Sequence, residues 1–170
     1  DAVAAAEGAI AQIEGGQTPE GSFAGYPQEY VPRSPWTPFE SKDDALAHLQ
    51  YAAAYLQQET KPDRAAAAFY RATQYDTELK SDPVVFALMA ITYDTSAWEA
   101  ASGRYRRLPP DATAEREAAL NELYQVTDRL LTYYARAIAL SGTDPAREQV
   151  RKTAAARLEE LYRFRHENTT

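Results

Sequence analysis

The stretch "LLTYYARAIALSGTDP", residues 130–145, alternates large aromatic and aliphatic side chains with small alanines and then stops at Ser-Gly-Thr-Asp-Pro. Gly142 is suited to the positive-φ residue that ends a helix, and Asp144-Pro145 is a typical start for the next one. Upstream, apolar and small residues follow a three-and-four spacing back to residue 112. They are Leu120, Leu123, Thr127, Leu130, Tyr134, Ala137 and Ser141. Residues 112–141 therefore form either one long helix or two helices with a tight break near Gln125–Asp128.

The same helical punctuation recurs along the chain. Ser41 and Asp44 have the spacing of a capping box, Thr60 precedes Pro62 and Asp63, and Asp82 precedes Pro83. A further capping box, Ser96 with Glu99, predicts a helix start that follows the apolar run 84–93. Because strand-like alternation is absent from this pattern, we predict an all-α fold built of antiparallel helix hairpins over residues 41–170.

Residues 1–40 differ in composition and are predicted to be an N-terminal arm, with room for a short helix over residues 3–13. Its residues 15–40 are rich in glycine, proline and aromatic side chains, which disfavours continuous helix. We expect its aromatic side chains to lie on the helical domain. They are Phe23, Tyr26, Tyr30, Trp36 and Phe39.

Charge and composition exclude several classes of function. The net charge is -7, and residues 1–60 hold nine acidic and two basic residues, so nucleic-acid binding is not expected. No apolar run reaches the length of a membrane span. The chain has no cysteine, which excludes disulfides and thiolate metal sites. A start at Asp1 without methionine fits either the removal of an export signal or an artificial truncation, and export is the favoured interpretation.

Catalytic motifs are missing from the sequence. Its two histidines, His48 and His166, have no glutamate at metal-ligand spacing, and no nucleophile elbow or phosphate loop occurs. Adjacent carboxylates such as Glu159 and Glu160 diverge on a helix, so they cannot act on one bond. We therefore expect no catalysis, no cofactor and no metal.

Two helix patterns repeat. The second-helix pattern spaces a small or apolar residue, an aromatic and another small or apolar residue as Ala65-Phe69-Ala72, Ala101-Tyr105-Leu108 and Leu130-Tyr134-Ala137. The first-helix pattern occurs as His48-Tyr51-Ala52-Tyr55 and Phe86-Met89-Ala90-Tyr93. Together they resemble the tetratricopeptide repeat (TPR) family, with the last positions of the second helices 36 and 29 residues apart instead of about 34. The resemblance implies a short α-solenoid, whereas the alternative from the residues alone is a helical bundle with alanine-rich seams.

A TPR-like solenoid implies a concave groove lined by the first helix of each pair. The candidate groove residues are Leu49, Ala53, Leu56, Gln57, Val84, Ala87 and Ile91. The predicted function is a noncatalytic scaffold that binds a protein or peptide partner, or the chain's own proline- and tyrosine-rich arm. Twelve tyrosines and two tryptophans leave a second hypothesis open, namely that exposed aromatic rings bind a carbohydrate or another small ligand.

Overall fold

The structure is a computed structural model that describes residues 2–18, 36 and 38–166. It is all-α, as predicted, and the described residues contain no strand. The described residues form seven α-helical segments, with short 3-10 turns at Glu78–Ser81 and Pro145–Arg147. The segments are α1 Ala2–Glu14, α2 Lys42–Gln57, α3 Pro62–Ala72, α4 Pro83–Tyr93, α5 Glu99–Arg107, α6 Thr113–Ser141 and α7 Glu148–His166.

Most predicted helix starts are correct, because polar side chains satisfy free backbone N–H groups there. Ser41 Oγ accepts from the Asp44 amide at 3.1 Å, and Asp82 Oδ1 accepts from the Val84 amide at 2.9 Å. The predicted cap at Thr60 is wrong. Lys61 occupies the cap position of α3 and makes no side-chain hydrogen bond there. Pro62 follows at the first helical position, and because proline has no backbone N–H, one fewer amide at this helix start needs a partner.

The predicted helix start at Ser96 is also wrong. The chain stays helical from Pro83 to Arg107, and α4 runs into α5 through a π-helical turn at Asp94–Trp98. Ser96 Oγ donates to the carbonyl of Thr92 at 2.9 Å, so the hydroxyl bonds backward along the helix and does not cap a new one. The wider turn absorbs one extra residue and leaves Asp94 buried.

Residues 113–141 form one helix, which settles the alternative left open by the sequence. Six of the seven residues on its predicted inner face are buried, and only Leu120 is partly exposed. Gly142 ends the helix with a φ of 52°, as predicted. At 1.5 Å per residue the helix is roughly 43 Å long, and it contacts α4, α5 and α7.

Most helices pack mainly against a neighbour along the chain, whereas α4 packs most extensively on α6. The large core lies between α2, α3, α4, α6 and α7, where Phe69, Met89 and Leu130 are fully buried. Alanines at Ala47, Ala54 and Ala65 let the helix backbones approach closely. None of the helices described is both long and apolar enough to span a membrane.

A second, smaller core holds α1 on the domain. Ile10 and Ile13 of α1 are buried against Ala45 and Leu46 of α2, with Trp36, Phe39, Leu49 and Tyr75 at the edge. The predicted short helix is therefore present and is packed, and Trp36 and Phe39 lie on the domain as expected. The expectation for Phe23, Tyr26 and Tyr30 falls outside the described residues.

Candidate functional site

A buried ion pair joins the π-helical turn to the last helix. Arg157 donates from Nε to Asp94 Oδ2 at 2.7 Å and from Nη2 to Oδ1 at 2.9 Å, a two-point geometry that fixes both side chains. Tyr134 donates to the same carboxylate at 3.2 Å, and Arg157 also donates to Glu160 at 2.8 Å. With every carboxylate oxygen engaged, Asp94 is tied into the structure and is not free to act as a base.

Burial and the neighbouring Asp94 carboxylate raise the pKa of Tyr134 well above its ordinary value, so the phenol remains a hydrogen-bond donor. The guanidinium of Arg157 lies 4.9 Å from the ring centroid of Trp98, whose indole N–H donates to Thr127 at 3.2 Å. These contacts link α6, α7 and the π-helical turn. The contacts hold the π-helical turn against α6 and α7, which is a structural role.

The clearest open surface is a groove whose walls are α3 and α6 and whose floor is α4. We call it the tyrosine groove. Its first hollow has a volume of about 510 Å³ and its second about 310 Å³. The lining that matters for recognition consists of Tyr70, Tyr93, Tyr133, Thr132, Arg129 and Arg136, with Phe86 and Met89 below. Tyr70, Thr132 and Tyr133 line both hollows, so the two are adjacent.

The groove forms because both α3 and α6 pack on α4, which separates their outward faces. Tyr93 and Tyr133 meet edge to face with centroids 6.0 Å apart, and Arg129 donates to the Tyr93 hydroxyl at 3.2 Å. Tyr70 is 49% exposed on the opposite wall. Burial raises the pKa of Tyr133, which keeps its hydroxyl protonated at neutral pH. Rigid aromatic surface of this kind suits recognition, because little side-chain entropy is lost on binding.

Positive charge accompanies the aromatic rings. The guanidinium of Arg136 lies 4.8 Å from the centroid of Phe86, and Arg129 is held by Tyr93. Within the part of the chain that the structure describes, neither arginine is paired with a carboxylate, whereas Lys80 nearby is paired with Asp76 at 3.2 Å. Asp63 lines one end of the groove. The centre of the groove therefore offers two exposed cations for a ligand.

The seven residues predicted to line a groove lie at separate places. Ala53 and Gln57 line a hollow between α1, α2 and α3, whereas Val84, Ala87 and Ile91 line an apolar hollow of about 210 Å³ against α7. Leu49 packs at the edge of the smaller core, and Leu56 is 51% exposed. The hollow that contains Ala53 and Gln57 includes none of the three residues on α4.

His48, Asp44 and Glu78 are close enough together for a metal ion to be considered. However, Asp44 faces Nδ1 of His48 at 3.0 Å, while Glu78 faces Nε2 at 3.5 Å. The two carboxylates thus have their closest contacts with opposite nitrogens of one imidazole ring, and one ligand atom from each of the three residues lies within 4.8 Å of the others. The cluster bridges α2 to the 3-10 turn that follows α3.

Sequence reasoning missed the tyrosine groove because it sought a surface lined by first helices. One signal was available: Arg129, Tyr133 and Arg136 share a face of α6 that lies beside the apolar stripe. Comparison of the chain with protein-family models, curated proteins and solved structures gives no match.

Proposed function

We propose that this protein is a noncatalytic peptide-binding module and that the tyrosine groove is its binding surface. The observation that carries the proposal is the pair of adjacent aromatic hollows with two arginines free of carboxylate partners among the described residues. Interfaces that bind peptides are enriched in tyrosine and arginine, which combine contact area with directional hydrogen bonds.

The positions of the arginines define the ligand. Arg129 and Arg136 are seven residues apart on α6, which is about 10 Å along the helix axis. A peptide in the extended polyproline II conformation rises about 3.1 Å per residue with three residues per turn, so two acidic side chains three residues apart share a face and are about 9 Å apart. Between them, proline or aromatic residues would pack on Tyr70 and Tyr133. The preferred ligand is thus an extended acidic peptide of the form acid-x-x-acid.

The repeat architecture remains part of the proposal. Support for a short TPR-like solenoid comes from helices that pack on their chain neighbours and from buried alanines in the seams. The continuous helix from Pro83 to Arg107 departs from the family pattern, since it replaces a hairpin by one long element. A groove formed by α3, α4 and α6 is the consequence that bears on function.

Fluorescence anisotropy with labelled peptides tests the proposal. One peptide carries two glutamates three residues apart around proline and tyrosine, and its partner carries lysines in their place. We expect the acidic peptide alone to bind, and Arg129→Glu with Arg136→Glu to abolish binding. Arg107→Glu, an equally exposed arginine on α5, is the matched control. Equal binding of both peptides, or no effect of the double variant, would contradict the proposal.

Two further ligands are distinguished by the same assay. One is the chain's own arm, most of which lies outside the described residues. Residues 19–35 of this arm contain tyrosine, proline and the acids Glu20 and Glu29, and they are tested as a synthetic peptide. A sugar that stacks on Tyr70 or Tyr133 is the carbohydrate alternative, favoured by the exposure of Tyr70. Competition by the arm peptide would identify the groove's own occupant, whereas competition by sugars alone would replace the peptide proposal.

A further inference from the structure

A second hollow, of about 390 Å³, lies between α1, α2 and α3 and is separate from the tyrosine groove. Its polar lining consists of three pairs, each with a spacing of seven residues on one helix. They are Glu7 and Glu14 on α1, Gln50 and Gln57 on α2, and Arg64 and Arg71 on α3. Seven residues are two turns, so the members of each pair share a face and are about 10 Å apart.

The packing of the helices sorts the four charged residues into two levels. The end of α1 and the start of α2 meet in the smaller core together with Tyr75, which follows α3. Helices α1 and α3 therefore both run antiparallel to α2. This places Glu14 and Arg71 toward one end of the hollow and Glu7 and Arg64 toward the other. Each level offers one carboxylate and one guanidinium.

Gln57 is the independent indication of a ligand. It is only 4% exposed, it lines the hollow, and its Oε1 atom has no hydrogen-bond partner. A buried polar atom without a partner destabilises a fold, so such atoms are rare unless something else satisfies them. Gln50, at 5% exposed, lines the same floor. The two amides thus form a polar floor beneath the charged rim.

The charged residues that line the hollow are two glutamates and two arginines, so their net charge is zero. Among the described residues, Glu7, Glu14, Arg64 and Arg71 form no ion pair with one another or with other groups, although all four border the same space. Two carboxylates and two guanidiniums facing one hollow favour a ligand that carries both charges. An anion alone would meet the glutamates, and a cation alone would meet the arginines.

We infer that this hollow binds a small zwitterion, namely a free short peptide about three residues long. Its carboxylate is held by the arginine of one level and its ammonium by the glutamate of the other. The charged ends of an extended tripeptide are about 10 Å apart, which matches the separation of the levels. A rotation of the Gln57 side chain would bring its buried, unpartnered Oε1 to a ligand N–H group. Of the residues that line this site, only Ala67 also lines the tyrosine groove, and none of the charged residues is shared.

Calorimetric titration with triglycine tests the inference, with N-acetyl-triglycine amide as the uncharged analogue and glucose as a polyol. We expect triglycine to bind and the other two to give no heat. Arg64→Gln with Arg71→Gln should weaken binding about tenfold or more, because a charge-assisted contact is lost. Arg129→Glu should leave the affinity for triglycine unchanged, which distinguishes this site from the tyrosine groove. Absence of triglycine binding at millimolar concentration, or equal binding of the capped analogue, would overturn the inference.

Gln57→Leu distinguishes a binding role from a structural one. If Gln57 serves a ligand, replacing the amide by an apolar group of similar size should leave the midpoint of unfolding equal or higher while triglycine binding falls about fivefold. Gln125→Leu, on the outer side of α6, is the control and should leave binding unchanged. A large loss of stability with unchanged affinity would show that Gln57 acts only in the fold.

Discussion

Arg157 of α7 makes a two-point hydrogen-bonded ion pair with Asp94 of the π-helical turn, a residue 63 positions earlier in the chain. The Asp94 carboxylate is mostly buried, with 12% of its side chain exposed, and Arg157 is its cationic partner. The pair connects the one irregular turn in the long helix to the last helix of the domain.

Removing one partner of this ion pair should lower the free energy of unfolding much more than replacing both partners. Arg157→Ala leaves a buried carboxylate without its cation, and we expect a loss of about 3 kcal/mol in the free energy of unfolding. The double variant Asp94→Leu with Arg157→Met should recover much of that loss, since no charge remains buried. Urea denaturation measures both. Arg163→Ala, which breaks an exposed pair with Glu159, is the control and should change stability by less than about 1 kcal/mol.

Alkaline pH should unfold the domain partly through Tyr134. Burial raises its pKa in the folded state above the unfolded value of about 10, so the folded state keeps the proton that the unfolded state loses. The stabilisation is complete below pH 10 and is lost as the pH rises above it. Tyr134→Phe should reduce the decline by up to about 1.4 kcal/mol per pH unit. The same slope in the variant and the parent would refute this role.

Replacing Gly142 and Gly8 by alanine should change the stability of the domain in opposite directions. Gly142 has a φ of 52° and ends α6, so Gly142→Ala should destabilise the domain by about 1–2 kcal/mol through backbone strain. Gly8 lies within α1, where an added Cβ has open space. Gly8→Ala should stabilise by roughly 0.5–1 kcal/mol because alanine favours helix. Thermal unfolding of the two variants gives shifts of opposite sign if this account is correct.

The sequence predicted the elements better than their junctions. The inner face of α6, the caps at Ser41 and Asp82 and the end at Gly142 follow from local chemistry, which a single sequence reports directly. The turn at Asp94–Trp98 was misread because Ser96 and Glu99 imitate a capping box, while no proline or glycine interrupts the helix there.

The sites were harder to predict because they depend on which helices lie side by side. The tyrosine groove joins residues of α3, α4 and α6. The hollow proposed to bind a zwitterion joins residues of α1, α2 and α3. Each set has helical spacing within its own segments, but the sequence does not show which of those segments lie side by side. Gln57 was among the predicted groove residues, but its role there was a peptide contact, and its buried oxygen becomes visible only in the packed structure.

The central claim is that the tyrosine groove recognises an acidic extended peptide. It is tested most directly by nuclear magnetic resonance titration of the isotope-labelled protein with the peptide that carries two glutamates three residues apart. The account predicts chemical-shift changes concentrated at Tyr70, Tyr133 and Arg129, and their loss in the Arg129→Glu, Arg136→Glu double variant. Shifts confined to other faces of the domain, or no shifts at saturating peptide, would contradict it.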